Sequence, residues 1–213
     1  MRALMLLLCC LAGPSLAAAP PVCVTAIAAA EQASGTAPGL LAAIGVVESG
    51  RMDPRSGVRT PWPWTVTAEG VGTFYAVKAD AIRAVEALQA RGVSSIDVGC
   101  LQVNLLHHRD AFRTLEDAFD PAANARYAAS FLSRLYGRFE SWPLAAAAYH
   151  SLTPEVAAPY GRLVASVWSG APLSVVAGPA GSEVVIFPGG GQMRIIRDAT
   201  SGRARVLGYL SGP

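Results

Sequence analysis

The sequence predicts a mainly α-helical domain followed by a short extension of β character. Three observations carry that reading. Apolar residues recur at helical spacing in successive segments between positions 22 and 168. Hydrophobic residues make up 52% of the 213 positions and charged residues 15%, which supplies a packed core and excludes a polar disordered chain. After Gly170 the composition shifts to scattered prolines and the run Gly189-Gly190-Gly191. The length suits one ordinary domain with additions. A formal net charge of +2 makes no electrostatic case for nucleic-acid binding.

Residues 1–19 read as a secretory signal. Arg2 is the positive start, positions 3–12 are apolar, Gly13-Pro14 breaks the run, and Ser15-Leu16-Ala17 gives the small-x-small cleavage pattern. Cleavage near Ala17 to Ala19 exports the chain, and the apolar run is too short to span a bilayer. A buried N-terminal helix is the competing reading. Cleavage removes Cys9 and Cys10 and leaves Cys23 and Cys100. An even pair in an exported chain fits one disulfide, with two buried thiols as the alternative.

The mature chain opens with a helix over 22–34, carrying Val22, Ala26 and Ala29 on one face and stopping near Gly35. Pro38 opens a second helix, in which Leu40, Ile44 and Val47 form the apolar stripe. Glu48 lies beside that stripe at the helix's end, just before Gly50. Residues 51–76 read as loop, with Pro61-Trp62-Pro63-Trp64 and Phe74-Tyr75 concentrated there. Residues 78–91 form an amphipathic helix with Ile82, Val85 and Leu88 inward, ended by Gly92. Residues 96–104 are extended or turn. Asp120-Pro121 starts a helix whose apolar side includes Tyr127, Phe131 and Leu135. Two more helices run over 143–149 and 154–168. In the extension, 184–187 and 193–196 are strand-like runs that fit a small hairpin, marginal without a partner.

Three local patterns stand in order: Glu48-Ser49-Gly50; Gly99-Cys100-Leu101-Gln102-Val103-Asn104; and Ala145-Ala146-Ala147-Ala148-Tyr149-His150-Ser151. Phe119-Asp120-Pro121-Ala122-Ala123-Asn124 lies between the last two. In this order and spacing the chain resembles the SLT-type lytic transglycosylases, which share a lysozyme-like fold. The likeness covers residues 23–168 and is nearest to the small branch associated with secretion systems and flagella, in which a Gly-Cys-x-Gln-Val-Asn run and a Trp-Pro-Trp loop are typical. Residues 20–170 are then an SLT-like domain and 171–213 an extension.

The resemblance implies cleavage of the MurNAc–β-1,4–GlcNAc bond of peptidoglycan with a 1,6-anhydro-MurNAc product. It assigns Glu48 as catalytic acid and base. A carboxyl flanked by Ile44 and Val47 suits that task, because partial desolvation lets it hold a proton near neutral pH. Ser49 matches the serine that positions the carboxyl or the acetamido group. Gln102 and Asn104 match the substrate-floor segment, and Tyr149 matches a tyrosine whose hydroxyl approaches the carboxyl. Each has a plainer reading, as backbone-bonding hydroxyl, turn residues and core aromatic. Trp62 and Trp64 suit stacking on sugar rings or packing on the domain. His150 and Ser151 stand where most of the family has asparagine and a nearby glycine.

No cofactor is implied. His107 and His108 are adjacent, so on a helix they face apart, and no Cys-x-x-Cys or nucleotide-binding glycine loop is present. A muramidase acting on the same bond, with Asp97 or Asp53 as second carboxylate, is a competing reading. So is a wall-binding assembly factor. The extension suits docking to a wall-spanning machine such as a flagellar rod or secretion apparatus, or is a plain flexible tail.

Overall fold

The computed structural model describes residues 22–52 and 57–170 and, beyond these, the backbone of four strands within 174–210. The expected signal segment 1–19 and Asp53 lie outside the described residues.

Seven helices form among the described residues: α1 (Val22–Ser34), α2 (Leu40–Ser49), α3 (Lys78–Ala90), α4 (Leu115–Ala118), α5 (Pro121–Phe139), α6 (Trp142–His150) and α7 (Pro154–Trp168). Six answer to the helical segments of the sequence. The four-residue α4 is too short to show a period, and Thr114 starts it by accepting a hydrogen bond from the Asp117 backbone N–H. Helix α2 starts at Leu40, two residues after the expected opening at Pro38. Gly39 is its N-cap, in the left-handed region at φ 80°. The free N–H groups of Gly39 and Leu41 donate to the Glu31 carboxylate of α1, at 2.5 and 2.8 Å, so one helix caps the next.

The expected loop over 51–76 contains four short strands: β1 (Gly50–Met52), β2 (Arg59–Pro61), β3 (Thr65–Ala68) and β4 (Val71–Phe74). Strands β1 and β2 pair antiparallel with Gly50 opposite Pro61. Strand β3 pairs with β4 and, on its other side, with β5 (Ile96–Val98), which pairs with β6 (Val103–Asn104). In the extension the two expected strands are β8 (Ser182–Ile186) and β9 (Gln192–Arg197), paired antiparallel. They are flanked by β7 (Ser174–Ala177) and β10 (Ala204–Leu210). Strand β10 also pairs with β4, Ala204 opposite Gly72, so the sheet order is β6-β5-β3-β4-β10-β9-β8-β7.

Two apolar clusters hold the domain. The larger joins Ile27, Leu41, Ile44, Leu101, Leu132 and Val164 from α1, α2, α5 and α7 and the turn after β5. Each such side chain removed from water contributes roughly 1.5–3 kcal/mol before entropy is counted. The alanines of α5 and α6, with Ala125, Ala128, Ala145 and Ala146 buried, let these helices approach closely. Gly45 does the same for α2: a Cβ there would lie 2.8 Å from Ile27 Cδ1. The smaller cluster packs Val85 of α3 and Phe119 against Val66, Ile96 and Val98 of the sheet.

Cys23 of α1 and Cys100, in the turn between β5 and β6, are disulfide-bonded with Cα atoms 5.8 Å apart. The bond joins the first helix to the turn that carries Leu101 and Gln102. No helix among the described residues is long and apolar enough to cross a membrane.

Candidate active site

The C-terminal end of α2 delivers Glu48 and Ser49 to the junction of helices and sheet. The stripe that buries Leu40, Leu41 and Ile44 turns Glu48 toward the protein, while part of its surface stays open to solvent. Burial pushes its carboxyl from 4.5 up to about 8; a hydrogen bond from Tyr160 acts against that rise, and the charge of Asp97 adds to it. At neutral pH Glu48 therefore carries a proton it can give.

The hydroxyl that meets Glu48 belongs to Tyr160 of α7, whose Oη donates to Oε1 at 2.7 Å. The sequence pattern pointed to Tyr149 instead. Tyr149 Oη donates to the Leu101 carbonyl at 2.9 Å, and its ring packs against Phe131. Burial first, then the charges of Glu48, Asp97 and Tyr127, hold the Tyr149 hydroxyl well above its ordinary value. Tyr149 is thus a neutral strut beside the acid, tying α6 to the turn after β5. Tyr160 is legible in the sequence only as one more residue on the inward face of the last helix.

Ser49 is also a brace. It is 1% exposed, and its hydroxyl lies 2.6 Å from the Cys100 carbonyl while accepting from the Trp62 backbone N–H at 3.2 Å. With its oxygen engaged by backbone groups, Ser49 fits the plainer of its two sequence readings. It locks the end of α2 to the disulfide turn and to the tryptophan segment.

Gln102 sits in the left-handed region at φ 46°. Its Nε2 donates to the carbonyls of Thr65 and Gly99, at 3.1 and 3.0 Å, which fixes the amide's orientation, since a carbonyl only accepts. Its Oε1 is buried and has no hydrogen-bond partner. An orphaned acceptor costs free energy unless a donor arrives, so the chemistry left open here is that of an N–H or O–H acceptor.

Asn104 is fully engaged. Its Nδ2 donates to Asp97 Oδ1 at 2.8 Å and to Ser95 Oγ, and its Oδ1 accepts from the backbone N–H groups of Leu106 and His107. It therefore holds Asp97 rather than presenting a free amide. Burial raises the Asp97 carboxyl above its ordinary value, against the Asn104 bond and the nearby His107.

Asn124, at the start of α5, organises the same turn from below. Its Oδ1 accepts from the Leu101 N–H at 2.9 Å, and its Nδ2 donates to the carbonyls of Val98 and Ala118. It is fully buried and packs so tightly that a Cβ on Gly99 (φ 82°) would lie 2.5 Å from its Nδ2.

The tryptophan segment joins this knot through the Trp62 backbone, and Trp62 and Trp64 are each partly exposed. Trp62 Nε1 donates to the Tyr75 carbonyl at 2.7 Å, Trp64 meets it edge-on at 5.6 Å, and the Arg51 guanidinium covers one Trp62 face at 4.3 Å. No group of side chains suited to a metal ion occurs among the described residues.

The site thus brings Glu48, Asp97, Gln102, Tyr149 and Tyr160 together, braced by Ser49, Asn104 and Asn124. A proton-bearing, half-buried carboxyl held by a tyrosine hydroxyl is equipped for acid-catalysed bond cleavage. Neither the curated proteins nor the solved structures give a match to this chain. A family model does: residues 25–158, more than half of the chain, match the transglycosylase SLT domain, so the chain belongs to that family and is a peptidoglycan lytic transglycosylase.

Proposed function

We propose that Glu48 is the single acid and base of this reaction, the observation that supports it being a carboxyl raised to about 8 beneath the Tyr160 hydroxyl. Protonated Glu48 gives its proton to the glycosidic oxygen as the C1–O bond breaks. The substrate's N-acetyl group supports the anomeric carbon. Glu48, now ionised and stabilised by Tyr160, takes the proton of the C6 hydroxyl, and O6 bonds to C1. The 1,6-anhydro ring closes, the acid regains its proton and no water is consumed. The tethered hydroxyl has a large effective molarity, which lets it outpace water. The turn that carries Gln102 forms the floor beside the acid, and the exposed parts of Trp62 and Trp64 carry neighbouring sugars.

The signal-like residues 1–19 support export to the periplasm. The extension 171–213 is the element that would dock on a wall-spanning machine such as a flagellar rod or secretion apparatus, where a local cut lets the assembly through. Its strand β7 ends the sheet, and an edge strand offers backbone groups for strand addition.

The experiment compares wild type with Glu48→Gln on purified peptidoglycan. Turnover should fall by about 100-fold or more while sacculus binding persists, since the neutral amide keeps the shape and loses the proton. Retained turnover would refute the assignment. Asp97 supports one competing reading, because it puts a second carboxyl within electrostatic reach of Glu48. A water directed by Asp97 would hydrolyse the same bond, and the two readings differ in the product end.

A further inference from the structure

The Tyr160–Glu48 pair has a third member. His150, the last residue of α6, lays its ring on that of Tyr160, with centroids 4.7 Å apart and planes 13° from parallel. His150 as a whole is an exposed residue, with one ring face covered by Tyr160. We propose that His150 is a positioning residue for the reaction, a plate that holds the Tyr160 ring so that its hydroxyl stays on Glu48. The proposal rests on the reading of Glu48 as the proton donor.

The local architecture explains why such a plate has work to do. A tyrosine ring swings about two side-chain torsions, and its hydroxyl, farthest from the backbone, moves most. Tyr160 follows Pro159 within α7, and a proline supplies no backbone N–H to the helix ladder at the preceding position. Helices α6 and α7 meet closely here, since a Cβ on Gly161 would lie 2.8 Å from the Ala147 Cβ. That approach puts His150 face to face with Tyr160. Burial of the imidazole lowers its pKa below 6.5, so at neutral pH the plate is uncharged and acts by contact.

The consequence for Glu48 has a definite sign. The titratable groups facing it are Tyr160 from α7, Asp97 from β5 and Tyr149 from α6. Burial and Asp97 raise its carboxyl, and the Tyr160 bond opposes them. Loosening Tyr160 therefore raises the carboxyl further. The alkaline limb of the pH–rate profile, which reports loss of the acid's proton, moves to higher pH.

The test is the pH profile of kcat/KM on purified peptidoglycan for wild type, His150→Ala, His150→Phe, Tyr160→Phe and Glu48→Gln, with a melting curve for each. Tyr160→Phe should move the alkaline limb up by about one pH unit, and His150→Ala by about half as much in the same direction. His150→Phe keeps a flat ring without a titrating group and should leave the limb near that of wild type. His150→Leu, which fills the space without a plane, replaces His150→Ala if the latter does not fold. A shifted limb in Tyr160→Phe but not in His150→Ala or His150→Leu would overturn the proposal and leave His150 a packing residue. So would a shift in His150→Phe equal to that in His150→Ala. An unmoved limb in Tyr160→Phe would remove the route from His150 to the acid. An active Glu48→Gln would overturn the reading of the acid itself, a result separable from failure at His150 alone.

Discussion

Reducing the Cys23–Cys100 disulfide should cost this protein a large part of its stability. The bond closes a loop with a sequence separation of 77, and both cysteines are fully buried. In the chain-entropy model, a loop of that length, once opened, gives back to the unfolded state about 4.5 kcal/mol at room temperature. That is of the order of half the net stability of an ordinary domain. The consequence reaches the site, because Cys100 lends its carbonyl to Ser49 and precedes Leu101 and Gln102. The assay is urea unfolding of one wild-type preparation, refolded with and without reductant, so that both sulfurs remain in place. With a slope of about 2 kcal/mol per molar urea, the midpoint should fall by about 2 M. Midpoints within about 0.3 M of each other would refute the entropic argument. Two free thiols by mass in the unreduced mature protein would refute the bond itself.

Other consequences follow from single residues. Asn124→Ala orphans the Leu101 N–H and two carbonyls in a fully buried site, and should cost about 3–5 kcal/mol in urea unfolding, with slower glycan cleavage from displacement of Gln102. A loss under about 1 kcal/mol would mean that these bonds are replaceable. Glu48 should make stability depend on pH. Between 4.5, where the unfolded chain's carboxyl ionises, and about 8, where the folded one does, the native state binds more protons, so wild-type stability falls as pH rises. Glu48→Gln lacks that slope. Its stability relative to wild type should climb across the window by up to about 1.4 kcal/mol per pH unit, read from melting curves at several pH values. A constant difference would show that the carboxyl is not raised.

The helical frame was legible because its signals are local. In α3 the inward Ile82, Val85 and Leu88 and the stop at Gly92 all lie within a few turns of chain. Strands β1 to β4 were not legible, because three or four residues carry no readable period and their existence depends on pairings such as Gly50 with Pro61. The same division runs through the site. The placement of Glu48 follows from the stripe beside it, and the pairing of Cys23 with Cys100 follows from cysteine parity once residues 1–19 are read as a signal. The Tyr160 contact spans 112 residues of sequence and is set by how α7 crosses α2, which no local pattern encodes. The family resemblance gives Ser49 and Asn104 roles toward carboxyl and substrate, beside a plainer reading of each as a backbone-bonding residue. Their hydrogen bonds instead go to the Cys100 carbonyl and to Asp97, since buried polar groups must first satisfy the backbone and one another.

The most direct test of the chemistry assigned to Glu48 is the mass of the glycan ends released when the mature protein digests peptidoglycan in water enriched in oxygen-18. Intramolecular attack by O6 predicts anhydro-MurNAc ends lighter than a reducing end by one water, with no heavy oxygen, and none from Glu48→Gln. Reducing ends carrying oxygen-18 would contradict the account and show that water, directed by a second group such as Asp97, is the nucleophile.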